Sequence, residues 1–312
     1  MKLKPSENTQ LYGMNNFFNE IVNLYNINKM PNKILLSGKK GLGKSTLAYH
    51  IVNYIFSINE DFKYDLKKFS IHKENKSFKL VQSNSHPNFY LIDLLSDKKN
   101  IDINQVREMI TYTNKSSFNN MPRFILIDNV ENLNKNSINA LLKIIEEPNE
   151  NIYFILINNN EKYILPTLKS RCLIFKICFT FNESILVTNQ ILNVNIFDLI
   201  SYDLISYYNS PGDIVNLIDF SIVNNIDLKK NNLINLLNFL IDNGHYKKNV
   251  IVKYLLVNLI NLFFLKKYKT SNTKNSLLDF YYNFNNRIYN TEKFNLDEEC
   301  LFLEFKSKIL NG

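Results

Sequence analysis

Three of the chain's 7 glycines fall in one short stretch, SGKKGLGKST, which runs from Ser37 to Thr46. The run Gly38-Lys-Lys-Gly41-Leu-Gly43-Lys44-Ser45 fits the spacing GxxxxGK[ST]. Glycine at these points lets backbone N–H groups turn inward and approach an anion with no Cβ in the way. A helix beginning at Lys44 would add its positive dipole end. The chemistry implied is the cradling of a polyphosphate. Lys44 would reach the terminal phosphates and Ser45 would hold Mg2+, with Gly38, Gly41, Gly43 and Thr46 completing the loop.

A metal–nucleotide site needs a second oxygen ligand, and FILID supplies Asp128 after four apolar residues. From the end of a neighbouring strand Asp128 would hold the Mg2+ through water, so ATP or ADP with Mg2+ is the expected cofactor. The next residue bears on whether cleavage follows. A glutamate there would polarise the attacking water, but the chain has Asn129, an amide that cannot act as a base at neutral pH. Glu131 is expected to point elsewhere as the chain leaves the strand. The residues therefore read as nucleotide binding with weak or absent turnover.

These groups need strands and helices to hold them. KILLSG (33–38), FILIDN (124–129) and YFILIN (153–158) are short isoleucine-rich runs bounded by turn residues. Helical patterns, STLAYHIVNYIF and NSINALLKIIEEP, lie between them. Strands alternating with helices imply an α/β fold with a parallel sheet covered on both faces. In the second helix Ile138, Leu141, Leu142 and Ile145 share a face, and Pro148 is expected to end it. Residues 57–85 are polar without a clear period and are expected to form an excursion or loop. All 7 prolines occur at or before Pro211, and after Gly212 only Gly244 and Gly312 remain, so the C-terminal third reads as helical. Its most apolar run, 250–265, is shorter than the roughly 20 residues that span a bilayer and is interrupted by Lys253, Asn258 and Asn261. It is expected to be a buried helix.

The N-terminal MKLKPSENTQ lacks the apolar run of a secretory signal, so the chain is read as cytoplasmic. Cys172, Cys178 and Cys300 are an odd number without CxxC spacing, and the 4 histidines are scattered. Neither a disulfide framework nor a zinc or histidine centre is indicated. The formal net charge of +8 permits contact with nucleic acid without establishing it.

The run RFILIDNVENLNKNSINALLKIIEEPNENIYFILINNNEKYILPTLKSRC, residues 123–172, closely resembles the AAA+ subunits of clamp loaders. Among these it is most similar to the δ′ family of bacterial DNA polymerase III. The carrying residues are Asp128-Asn129, Asn139 to Lys143, Glu146-Glu147-Pro148, and Pro166 to Cys172 with its Ser170-Arg171-Cys172 ending. HPNFYLI (86–92), IDINQVREM (101–109), the opening LYGMNNFFNEIVNLYNINKMPNKILLSG and SPGD (210–213) add to the resemblance, which weakens beyond Gly212. It implies an AAA+ α/β domain over 1–178, a small helical lid over 179–225 and an all-α collar over 226–312. Asn158 would be the sensor at the third strand end, with Asn159 as the alternative. Arg171 would be an arginine finger, neutralising phosphoryl charge in a neighbour's site. Cys172 would merely pack.

The partners implied are γ/τ and δ subunits in a hetero-pentamer, the sliding clamp and primed DNA, with no membrane. The implied function is that of a stator helping to load the clamp during DNA replication. Two departures matter. No cysteine precedes Cys172, so a four-cysteine zinc module found in many relatives is absent or metal-free. Asp213 stands after SPG where a sensing arginine would be expected, and a carboxylate there would repel phosphates. The helix near Asn104 carrying Arg107 is a candidate for DNA phosphate contact, and equally a surface helix capped by Asp102 or Asn104. The alternatives are an ATP-hydrolysing γ/τ-type motor subunit, opposed by Asn129 and Asp213, and a free-standing AAA+ DNA-binding regulator. For the latter no helix-turn-helix pattern emerges.

Overall fold

The isoleucine-rich runs pair into a five-stranded parallel sheet: β1 (Lys33–Ser37), β2 (Phe89–Ile92), β3 (Arg123–Ile127), β4 (Ile152–Asn158) and β5 (Leu173–Lys176). Their order is β2-β3-β4-β1-β5. The computed structural model describes residues 4–95, 98–115, 121–147, 149, 151–270, 274–294 and 296–310. The chain divides into two units, Met1–Glu183, which holds the sheet, and Ser184–Gly312.

Side chains alternate across the sheet because the strand period is two. Ile34, Leu36, Phe124, Leu126, Ile155 and Ile157 enter one core cluster. Leu35, Ile125, Ile127, Phe154 and Leu156 enter the other. With both faces buried, the strands read as continuous apolar runs. The first face is covered by α1 (Asn15–Asn26), α2 (Lys44–Ser57) and α3 (Lys76–Gln82), through Phe18, Ile21, Leu47, Ile51, Ile55 and Phe78. The second is covered by α4 (Ile103–Asn114) and α5 (Lys135–Glu146), through Val106, Met109, Leu141 and Ile145. Glu147 caps α5; Pro148 lies outside the described residues. The single turn α6 (Pro166–Lys169) precedes β5.

The 57–85 excursion is more ordered than its polarity suggests. It contains α3 and buries Tyr64, Ile71, Phe78 and Val81. One carboxylate organises it: Glu60 accepts from the backbone N–H groups of Lys76 and Ser77, each at 3.1 Å, and from Asn75 Nδ2 at 2.8 Å. A charge at a helix start needs no hydrophobic period, so the sequence pattern does not reveal it.

In the second unit the ordered elements are helical: the remainder of α7 (Phe181–Leu192), α8 (Ile196–Leu199), α9 (Pro211–Val223), α10 (Leu233–Asp242), α11 (His245–Lys248), α12 (Val250–Thr270), α13 (Lys274–Phe294) and α14 (Glu299–Phe305). Leu255, Leu256, Leu259, Ile260, Phe263 and Phe264 of α12 are buried. Among the described residues no helix is long and apolar enough to cross a membrane. Asp213 has a different task from the one its position suggested. Its carboxylate accepts the Ser210 N–H at 2.9 Å while Ser210 Oγ accepts the Asp213 N–H, a reciprocal cap on α9. The group is buried and committed to the helix start.

Candidate nucleotide site

In a parallel α/β sheet, ligands bind at the carboxyl ends of the strands. Here β4 lies between β1 and β3. The phosphate loop after β1, Asn158 at the end of β4 and Asp128 after β3 are thereby brought together. Gly41 and Gly43 take left-handed backbone conformations, φ 82° and 94°, and Gly43 caps α2. Gly38 meets another need: a Cβ on it would stand 2.2 Å from the carbonyl oxygen of Ile177. The buried Lys44 ammonium donates to the carbonyls of Gly38 at 2.8 Å and Lys39 at 2.6 Å. Burial brings its pKa down to about 8, against the pull of Asp128.

Ser45 Oγ donates to Asp128 Oδ2 at 2.5 Å, and Thr46 follows it, half-buried in the first turn of α2. Burial, reinforced by Asp93, pushes the Asp128 carboxyl up to about 6. A buried carboxylate bonded to a hydroxyl beside a phosphate loop fits the oxygen donors that Mg2+ takes. Asp93 was missed by the sequence reading, yet it had a signal: FYLI-Asp93 repeats the pattern of FILI-Asp128.

Asn129 has a left-handed conformation, φ 57°, and its side chain is held on both sides. Its Nδ2 donates to Asp93 Oδ1 at 2.7 Å, and its Oδ1 accepts from Asn159 Nδ2 at 2.8 Å. The Asn159 N–H donates to Glu131 Oε1 at 2.9 Å. The ends of β2, β3 and β4 are thus laced together by side chains. The left-handed turn also brings Glu131 back into the protein. Contrary to the expectation that it points elsewhere, Glu131 is buried and its charge acts on Lys44. Burial raises its own pKa.

Both sensor candidates are engaged. Asn158 Nδ2 donates to Ser37 Oγ at 3.1 Å and Asn160 Oδ1 at 2.6 Å, while its Oδ1 accepts the Asn160 N–H at 3.0 Å. Asn159 bonds toward Asn129, on the β3 side.

Arg171 lies beyond α6, half-exposed, and its bonding partners are not residues of the phosphate loop. Nη1 donates to the Thr167 carbonyl at 2.7 Å and Nη2 to Glu146 Oε1 at 2.6 Å. Cys172 packs against the second core cluster, and burial pushes its thiol up to about 11, the behaviour of a packing residue. Asp102, rather than Asn104, caps α4, accepting the N–H groups of Asn104 at 3.0 Å and Gln105 at 3.2 Å; Arg107 is exposed. Among the described residues no group of three or more His, Cys, Asp or Glu is placed to hold a metal ion.

The parallel sheet, the glycine loop after β1 and the aspartate after β3 define an α/β P-loop fold. The sequence profile of the family described as DNA polymerase III, delta subunit matches residues 13–179, more than half of the chain, and the chain belongs to that family. It is 32% identical over 237 residues to the DNA polymerase III subunit gamma of Buchnera aphidicola subsp. Schizaphis graminum, covering 73% of this chain and 62% of that protein. It is 32% identical over 162 residues to the subunit delta' of Buchnera aphidicola subsp. Baizongia pistaciae, covering 50% of this chain and 47% of that protein. A third relative, the subunit delta' of Buchnera aphidicola subsp. Acyrthosiphon pisum, is 25% identical over 305 residues, 88% of this chain and 85% of that protein. The chain spans less than two thirds of the length of the first two relatives. The δ′ resemblance read from residues 123–172 is borne out.

Proposed function

We propose that the chain is a δ′-type stator subunit of a DNA polymerase III clamp loader. It binds ATP or ADP with Mg2+, turns it over weakly or not at all, and lends Arg171 to the nucleotide site of a neighbouring subunit. The observation that carries this reading is Asn129. An amide stands where a water-activating carboxylate would be needed, and both its ends are occupied by Asp93 and Asn159.

In this reading the N–H groups of the loop at Gly38, Gly41 and Gly43, the start of α2 and the Lys44 ammonium hold the phosphates. Ser45 and Asp128 hold the Mg2+. Lys44 exchanges its two carbonyl partners for phosphate oxygens, a favourable swap for a buried cation. Asn158 senses the terminal phosphate by giving up one of its present bonds, or Asn159 does so in its place.

Arg171 supports the second half of the proposal, because it is bonded to the last residue of α5 and to a carbonyl in the turn of α6 and remains reachable from solvent. The division of the chain into an AAA+ domain over 1–178, a lid over 179–225 and a collar over 226–312 belongs to the same proposal. So do γ/τ and δ neighbours in a hetero-pentamer, the sliding clamp, primed DNA met by residues such as Arg107, and a cytoplasmic setting.

A motor reading is favoured by one observation, the similarity over 73% of the chain to a protein named as subunit gamma. ATP hydrolysis separates the two. The isolated chain is expected to bind ATP with no turnover that depends on Lys44. An assembly reconstituted with γ-type subunits is expected to lose about 10³-fold or more in hydrolysis at the adjoining site on Arg171→Ala. Vigorous turnover by the isolated chain, abolished by Lys44→Ala, would establish the motor instead.

A further inference from the structure

We infer that Glu146 is the positioning residue for Arg171, holding its guanidinium ready for the neighbour's phosphates; the inference rests on the in-trans reading above. Glu146 is the last residue of α5, where a carboxylate meets the negative end of the helix dipole. A cation beside it relieves that repulsion, and Arg171 Nη2 provides one at 2.6 Å. The other anchor, at 2.7 Å, is the carbonyl of Thr167, within the single turn of α6. The guanidinium is therefore fixed at two points.

The two side chains are 34% and 52% exposed for Arg171 and Glu146 respectively, so the pair sits where another protein can reach it. A guanidinium carries five N–H donors in a planar fork. The two bonds use two of these and leave three for an incoming anion. A long cationic side chain with no anchor would lose substantial rotamer entropy each time it docked. Glu146 removes part of that cost beforehand, the effect of preorganisation on binding. The carboxylate itself touches no nucleotide in this arrangement and acts only through Arg171.

The test uses the assembly reconstituted with γ-type subunits, with ATP as substrate, and compares Glu146→Ala, Glu146→Gln, Arg171→Ala and the double variant Glu146→Ala/Arg171→Ala. An exposed ion pair sets the scale. Glu146→Ala is expected to lower kcat at the adjoining site about two- to five-fold with KM unchanged. Glu146→Gln, which keeps the acceptor, is expected to restore most of it. In the Arg171→Ala background, removal of Glu146 is expected to change nothing further. In the free chain, the Arg171 Nε–H resonance is expected to broaden or shift on Glu146→Ala, and thermal melts report whether each variant folds.

Wild-type kcat for Glu146→Ala beside an impaired Arg171→Ala would overturn the inference and leave the in-trans reading standing. An equal loss from Glu146→Ala with and without Arg171 would also overturn it, since the carboxylate would then act elsewhere. Unchanged hydrolysis in Arg171→Ala would bring down both.

Discussion

Replacing Asn129 by glutamate looks like the repair of an ATPase, and the structure says that it will fail. Asn129 sits at φ 57°, a conformation that asparagine tolerates and that costs other L-residues about 1–2 kcal/mol. Its Nδ2 donates at 2.7 Å to the Asp93 carboxylate, and glutamate cannot donate there. Losing a hydrogen bond to a charged group costs about 1.5–3 kcal/mol. The new carboxylate would also stand beside Asp93, whose charge already makes ionisation of the nearby Asp128 harder. Asn129→Glu is therefore expected to destabilise the first unit by about 2.5–5 kcal/mol before repulsion is counted, from the two terms above. It is expected to install no turnover. Denaturant unfolding followed by a signal from the first unit measures the stability, and a steady-state phosphate-release assay measures the rest. A variant as stable as the parent that hydrolyses ATP in a Lys44-dependent way would refute the argument, because the Asp93–Asn129–Asn159 lacing would then have no grip on this position.

Gly38→Ala is expected to cost about 1–3 kcal/mol or more, as overpacking does, and to weaken nucleotide binding, because its Cβ would meet the Ile177 carbonyl at 2.2 Å. Calorimetric titration with ADP and a denaturant melt check it, and a silent substitution would show that the β5 end yields easily. His50 makes stability depend on pH. Its Nδ1 lies 2.8 Å from the Tyr64 hydroxyl and its Nε2 lies 3.1 Å from the Asn8 carbonyl, and burial pulls its pKa down to about 4. The unfolded chain takes up this proton near pH 6.5 and the folded chain only near 4. The contribution of the neutral ring is thus present above pH 6.5 and is lost as pH falls toward 4, by up to about 3 kcal/mol. The parent's stability minus that of His50→Gln, measured between pH 7.5 and 4.5, should shrink by that order. A flat difference would contradict it.

The phosphate loop, the Asp128 strand and the alternation of strands and helices were legible because each rests on local rules. Scarce glycines at fixed spacing and apolar runs ending in a carboxylate need no knowledge of distant residues. Residues 57–85 and Glu131 were not legible in this way. Glu60 orders the former through bonds to residues 15 to 17 positions away, which leave no periodic trace. Glu131 is redirected by one left-handed residue, a backbone choice that the letters Asp-Asn-Val-Glu do not announce. Asp213 shows the reverse case. Its capping role was open to a local reading of SPGD, and the expectation that it would repel phosphates in place of a sensing arginine concealed it.

By itself the sequence determined which groups could meet a polyphosphate and which one was missing, because residue type alone settles whether a side chain can carry a charge or accept a proton. Tertiary structure decided what surrounds that gap. By placing β4 between β1 and β3, and β2 beside β3, the sheet brings residues from 93 to 159 to one edge. There Asn129 is shared between Asp93 and Asn159, and Glu131 is drawn into the interior. Hydrogen bonds act over about 3 Å, so which partners a side chain finds is set by the order of the strands and not by their order in the chain.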